Sequence, residues 1–380
     1  MKRILTLSFI LCLGILFICK PGKATWEKTK RLTWNSGYSQ VPTVAIDSNL
    51  TIHVVWFDNT SGNYEIYHKK SMDGGESWKT KRLTWNSGNS CWPVIAVDSC
   101  GFIHVVWFDN TPGNHEIYYM KSEDSGETWT RKRLTWTSGD SSWPVIAADS
   151  NNNLHVLWTD YTHGAPEIYY KKSTDGGETW GSSKRLTWNT GSSLNPSISI
   201  DSSNHLHVVW WDDTPGNREI YYKRSVDGGD TWTTKRLTVD SAESELPVIA
   251  RDSNNYLHVV WSDRRDGNYE LYYKKSKDGG VTWTKDKRLT WTSGSSLRHA
   301  LAISPNNYLH LVWDDYSSLP PEIYYKKSTD GGETWTTKRL TWNSGDSMYP
   351  SLNVDSSNNV YVVWHDYTPG NAEIYYKKGN

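Results

Sequence analysis

Six aspartates recur in one setting. Asp73, Asp124, Asp175, Asp227, Asp278 and Asp330 each follow a Ser by two residues and precede a Trp by five, with Gly between. Ser, Asp and Gly at fixed offsets could make a repeated catalytic or metal loop. A calcium ion, however, takes roughly six to eight oxygen ligands, and one acidic side chain per turn supplies too few. A simpler use exists. A carboxylate in a tight turn accepts hydrogen bonds from the N–H groups of that turn, Gly supplies a positive φ, and Trp plugs the hairpin. The six Asp are therefore expected to be structural, with no metal and no cofactor.

A second group could do chemistry because it departs from the pattern around it. Arg218, Arg264, Arg265 and Arg298 stand near Glu243, Asp263, Asp315 and Tyr316 in loops that elsewhere repeat. Guanidinium forks bind carboxylates, so Arg218, Asp263, Arg264, Arg265, Arg298, Asp315 and Tyr316 are candidates for holding a carboxylate and orienting a sugar. The competing reading is solvated loop charge, already paired with neighbouring acids. Glycoside hydrolysis needs two carboxyl groups in a defined pair, and the sequence singles out no such pair. No catalytic residue is assigned.

The repetition that these residues interrupt is seven-fold. "KRLTW" begins at Lys30, Lys81, Lys132, Lys184, Lys287 and Lys338, with "KRLTV" at Lys235, at intervals of 51 or 52 residues. Trp-x-Asp follows at Trp56, Trp107, Trp158, Trp210, Trp261, Trp313 and Trp364, and Glu-Ile/Leu-Tyr closes each unit. Each unit reads as four short strands, A to D; in the second these are "WPVIAVDS", "FIHVVWFD", "HEIYYMKS" and "TWTRKRLTW". Strand B is apolar on both faces, as a strand between two sheets must be. Strand D carries Lys and Arg, which suit an outer edge. One His per unit precedes most of the Trp-x-Asp segments and is expected to be packed and hydrogen-bonded, because no pair has metal-ligand spacing.

Such units predict an all-β fold, a seven-bladed β-propeller of four-stranded blades. Residues 25–380 open with a D strand lacking A, B and C and end with a C strand lacking D, so the N-terminal strand is expected to complete the last blade. The D–A and B–C loops then share one face and the Asp turns the other. The departures from repetition fall on the first face, in blades four to six.

Residues 1–24 read as a cleavable secretory signal, with Lys2 and Arg3 ahead of an apolar run and small residues at Gly22 and Ala24. Their removal takes four of 41 basic residues and leaves 37 against 42 acidic. That balance argues against a nucleic-acid partner or an anionic membrane, and no membrane insertion is expected after cleavage. Mean hydropathy is −0.68, and 23 Trp and 23 Tyr outweigh five Phe, so the aromatic mass suits half-wet, stacking positions. Twenty of the 23 Trp occupy repeat positions, and Trp richness alone therefore identifies no sugar site. Cys91 and Cys100 flank one strand too far apart to bridge.

The Ser-x-Asp-x-Gly-x-Thr-Trp turn resembles the Asp-box, or BNR repeat, of sialidase-like propellers, and the likeness covers nearly all of 25–380. It implies that fold, within a group that includes hydrolases and lectin-like modules. Sialidases of the group are six-bladed, use an arginine triad, a Tyr–Glu pair and an acidic proton donor, and carry an Arg-Ile-Pro segment. The chain has no Arg-Ile-Pro and counts seven units, so only the six Asp positions carry over. The expectation is a secreted, periplasmic or cell-surface, non-catalytic propeller that binds a carbohydrate or cell-surface glycan. The alternatives are a sialidase-like glycoside hydrolase or polysaccharide lyase acting through blades four to six, and a protein-binding scaffold.

Overall fold

Strand B dictates the architecture. In the first blade it runs Ile52–Asp58 with all seven residues buried, and the same holds in the other six blades. A strand buried on both faces needs a sheet on each side, and a ring gives every sheet two neighbours. The computed structural model describes residues 25–380, so the segment read as a signal lies outside the described residues. It contains seven four-stranded antiparallel sheets. Blade one is Ser39–Ile46 (A), Ile52–Asp58 (B), Glu65–Ser71 (C) and Lys79–Arg82 (D). The Trp of Trp-x-Asp packs between blades: Trp107 of blade two shares a core cluster with Val55 and Ile66 of blade one.

The strand D pairing varies with one inserted residue. Where the unit has an extra residue between the turn Trp and Lys-Arg, as after Trp180 and Trp283, strand D shrinks to Lys184–Arg185 and Lys287–Arg288. The other complete units keep four residues, such as Thr130–Arg133. Beyond the Arg, a side chain continues the ladder: the Thr84 hydroxyl accepts from Ile66 N–H at 2.8 Å.

The six Asp turns are built from their own residues. Ser71 Oγ donates to Asp73 at 2.7 Å, Gly75 N–H donates to Ser71 Oγ at 2.8 Å, and Trp78 Nε1 donates to Gly75 O at 3.0 Å. Hydrogen bonds from the hydroxyl and N–H of Ser77 hold the Asp73 carboxyl well below its ordinary range, and the Thr at the matching position does the same for Asp124, Asp175, Asp227, Asp278 and Asp330. Gly75 sits at φ +98°, and a Cβ there would approach the Tyr376 hydroxyl oxygen to 2.7 Å. Lys30 of the preceding blade donates to Gly75 O at 2.9 Å. Each turn therefore also ties two blades together.

One buried imidazole in each of six blades, with Tyr361 in the seventh, extends that tie. His155, His207 and His258 lie between an Asp at the A–B turn and a Tyr hydroxyl on strand C at 2.8 Å. In blade six, His310 meets Ser304 and Tyr325. Burial holds these rings below their ordinary value, His207 at about 4 and His310 at about 3. The unfolded chain takes up protons near pH 6.5 that the folded rings refuse, so stability is complete above that pH and is lost as pH falls. Tm is expected to be flat above pH 7 and to drop between about 6.5 and 4. A Tm that is constant or rises across that interval would contradict the buried, neutral histidines.

The ring closes as the chain ends suggest. Blade seven takes A, B and C from Ser347–Val354, Val360–Asp366 and Glu373–Gly379, and D from Lys30–Arg31. Lys30 stands opposite Tyr376 and Arg31 opposite Tyr375. Leu32, 1% exposed, packs with Ile374 and Tyr376. Leu32→Ala is expected to lower unfolding stability by about 2–5 kcal/mol, the range for emptying a core position, read as a lower denaturant midpoint. A change confined to a few tenths of a kcal/mol would show that this strand does not clasp the ring.

Candidate functional site

The loop face rests on two buried carboxylates per blade. Glu65 accepts from Arg82 Nη2 at 2.9 Å and from Asn86 N–H at 2.8 Å, and Asp58 accepts from Ser39 Oγ at 2.5 Å and Asn35 Nδ2 at 2.6 Å. Equivalent Arg–Glu pairs recur in all seven blades. With the loops held alike, positions that differ between blades stand out.

One such position lies inside strand A. The A–B register slips there in every blade, between Gln40 and Thr43 in the first and between Leu297 and Ala300 in the sixth. The residue at this bulge has a left-handed backbone: Val41, Trp92, Trp143, Asn195, Leu246, Arg298 and Tyr349 have φ between 46° and 56°. Six are followed by Pro; in blade six the Pro is His299. Bulges re-aim side chains, and this ring of seven lines an axial cavity of about 350 Å³.

Blades six and seven give the cavity its charge. Arg298 Nη1 donates to Tyr316 Oη at 2.6 Å and to Asp314 Oδ2 at 3.1 Å, with its guanidinium carbon 4.3 Å from the Tyr349 ring centre. Asp314 is fully buried and its Oδ1 has no partner. Burial pushes this carboxyl up to about 7, against the pull of Arg298. His365 stacks on Tyr349 at 5.3 Å, accepts from Val41 N–H through Nδ1, and leaves Nε2 buried without a partner. Burial, aided by the Arg298 charge, holds His365 at about 3, so the ring is neutral. Opposite, Trp92 meets Trp143 at 4.4 Å and Tyr349 at 5.4 Å. The cavity is thus lined by indoles and by one cation, Arg298, whose guanidinium is backed by the buried Asp314 and the Tyr316 hydroxyl.

No protein-family model matches the chain. A sialidase of Bacteroides fragilis is 24% identical over 274 residues, 60% of this chain and 49% of its own length. A xyloglucanase of Acetivibrio thermocellus is 27% identical over 279 residues, 64% of this chain and 31% of its own. The chain therefore spans about half of the first relative and a third of the second. A saccharide-bound ulvan lyase shares the fold at a TM-score of 0.64 and 10% identity, over 91% of this chain and 95% of that one. The chain shares the β-propeller fold of these proteins.

The arginines expected to act together do not meet, because each is held by partners of its own. Arg218 pairs with Glu245 and stacks on Trp211 at 4.8 Å. Arg264 is exposed, 5.9 Å from the Tyr269 ring centre, while Tyr269 donates to Glu243 at 2.8 Å. Arg265 is a repair of the frame. Blade five has Asp240 where blade one has Asn35, and an Asp cannot donate to the buried Asp263. Arg265 bridges the two instead, at 2.5 Å to Asp263 and 2.8 Å to Asp240. Asp263 and Asp315 are buried frame carboxylates of the same kind as Asp58, bonded to Ser244 and Ser296. Neither offers a free acceptor to a ligand. Arg298 lines the axial cavity, from within strand A (Ser296–Ile303) and not from the loop before it, with Tyr316 bonded to its guanidinium.

The sequence reading missed Asp314, Tyr349, His365 and the indoles beside them. Their signal was available. The middle residue of Trp-x-Asp reads Phe57, Phe108, Thr159, Trp211, Ser262, Asp314 and His365, a variable position between constant ones. The three Trp outside repeat positions, Trp92, Trp143 and Trp211, all lie at this end of the propeller. Among the described residues no group of three or more His, Cys, Asp or Glu gathers as a metal would require, and no helix is long and apolar enough to cross a membrane.

Asp314 has a pH signature opposite to that of the histidines. Its folded value, about 7, exceeds the ordinary 3.8, so the folded state keeps a proton that the unfolded chain releases, and stability is lost as pH rises through that window. Asp314→Asn removes this term. The Tm difference between variant and parent is expected to grow in favour of Asn from about pH 5 to pH 8. A difference that is independent of pH would show an Asp314 already ionised at pH 5.

Proposed function

We propose that the chain binds an acidic glycan in the axial cavity, with the sugar carboxylate on Arg298 and the pyranose ring against Trp92 and Trp143. One observation carries the reading: a single guanidinium, fixed by Tyr316, Asp314 and Tyr349 at the one blade whose bulge lacks proline. A fixed guanidinium suits a planar carboxylate, and aromatic walls suit the C–H faces of a sugar. The sialidase, xyloglucanase and ulvan lyase to which the chain is similar support a carbohydrate ligand. The propeller acts outside the cell, as the leader-like first residues suggest.

Asp314 favours a second reading, catalysis. A buried carboxyl that titrates near neutrality is matched to general-acid work, here beside the Tyr316 hydroxyl. In that case the chain cleaves the bound glycan, with Asp314 as proton donor, and Asp314→Asn abolishes turnover while leaving binding largely intact.

The binding reading is tested by calorimetric titration with glucuronic-acid and N-acetylneuraminic-acid oligosaccharides and with their methyl esters. Arg298→Met is expected to weaken binding of the acids at least about tenfold, since a hydrogen bond to a charged group contributes roughly 1.5–3 kcal/mol. The esters should bind parent and variant alike. Equal affinity for acid and ester in the parent chain would overturn the assignment.

A further inference from the structure

Six tryptophans of the "KRLTW" segments stand in solvent. Trp34, Trp85, Trp136, Trp188, Trp291 and Trp342 are 64–69% exposed, and the seventh position is Val239 at 77%. The Leu and Thr just before them are buried, so the indoles are held outward at the end of strand D by an anchored segment. Their neighbours are alike: Arg31, Arg82, Arg133, Arg288 and Arg339 lie 5.4–5.7 Å from the ring centres of the Trp three residues on. Those arginines are fixed by the buried Glu of their blades.

We infer that this ring of indoles is a multivalent platform for a polysaccharide, one pyranose ring stacking on each exposed indole, distinct from the axial cavity. Val239 shows that the frame needs no indole at this position. A large aromatic kept in water six times over therefore has a use beyond the fold. Each indole is followed by the polar Asn, Ser, Thr and Gly of its D–A loop, a setting that suits a hydroxyl-bearing ligand better than a bilayer. Each platform is the size of one ring, with a cation beside it to meet hydroxyl or acidic groups.

Between blades three and four the platform deepens. Trp188 and Trp232 line a cleft of about 450 Å³ with Lys184, Arg185, Lys223 and Asp230. Lys184 pairs with Asp230 at 2.8 Å, Arg185 with Glu167, and Lys223 donates to the Thr234 hydroxyl. In blades one, three, five and seven the matching lysine donates to the Leu carbonyl of the preceding blade, as Lys171 does to Leu134 O at 2.6 Å. At Lys223, as at Lys326 in blade six, that bond is replaced by one within its own blade, and Lys223 lines the cleft beside two indoles. Pyranose rings with hydroxyls at their edges match such a mixed wall.

The inference does not depend on Arg298. Its test uses the full chain with each of the six Trp changed to Val, singly and together, following the precedent of Val239. The probes are xyloglucan as a neutral polysaccharide, alginate as an acidic one, and vesicles of phosphatidylcholine with phosphatidylserine. Apparent affinity is read from affinity electrophoresis, with thermal unfolding as the folding control. The six-fold variant is expected to lose at least about a hundredfold in affinity for one or both polysaccharides, the scale of a lost multivalent effect. Single variants should lose only a small part each. Binding by the neutral probe alone or the acidic probe alone tells which polysaccharide class uses the platform. Unchanged retention of both polysaccharides by the six-fold variant, or a loss seen only in vesicle binding or self-association, overturns the proposal. Should the six-fold variant fail to fold, a triple variant at Trp34, Trp136 and Trp291 must show an intermediate loss, and parental retention overturns the proposal equally. Xyloglucan carries no carboxylate for Arg298, so loss of its retention in the six-fold variant reports the indoles alone, and failure of the axial reading and failure of this one are told apart.

Discussion

In every blade a glutamate with no more than 1% side-chain exposure accepts a hydrogen bond from the arginine of "KRLTW" at 2.6–2.9 Å. Its carboxylate also accepts from the backbone of the loop that follows, as Asn86 and Asn343 show. Burying a charge pair adds little net stability, but removing one partner costs roughly 3–5 kcal/mol. The pair therefore acts as a constraint: it fixes where strand D ends and how the D–A loop leaves it. The buried Asp of Trp-x-Asp does the same for the start of strand A. Both the axial cavity and the exposed indoles hang from these two carboxylates.

Such a frame tolerates change only when the change is compensated. Blade five shows how. Asp240 replaces the asparagine that in four other blades donates to the frame Asp, and two carboxylates would then face one another; burial and the Asp263 charge push Asp240 up. Arg265 arrives in the same blade and bonds both, together with Asp286. A charged residue that breaks the repeat can thus be a response to another break. The sequence shows that a departure exists, whereas the contact shows what it answers.

The fold was legible because it is written seven times. Period, strand order, the closing strand and the role of Ser-x-Asp turns all follow from spacing that recurs, and a recurring pattern averages out local ambiguity. The site was legible only in part. Arg298 and Tyr316 stood out as departures, but so did Arg218, Arg264 and Arg265, and nothing in their spacing said which faced the axis. That depends on the bulge in strand A, whose left-handed residue is Val, Trp, Asn, Leu, Arg or Tyr. Apart from Asn, none of these types announces a positive φ. Asp314 and His365 were concealed by the motif around them, since Trp-x-Asp reads as frame and its middle position escapes notice.

The two proposed binding surfaces differ in how they would hold a ligand, and the difference follows from where they sit. Arg298 belongs to the innermost strand, on a bulge closed by its neighbours, and its guanidinium already contacts Tyr316, Asp314 and Tyr349. A side chain so confined has little rotamer freedom left to lose, and sites on strands are held more tightly than sites on loops. Affinity there comes from preorganisation of one contact. The rim indoles sit at the outer edge, with one face in water and weak individual contacts. Affinity there can come only from number, because several sites on one rigid ring raise the effective concentration of the next. A closed propeller supplies both at once: its axis brings seven variable residues to one point, and its rim spreads six constant ones around a circle.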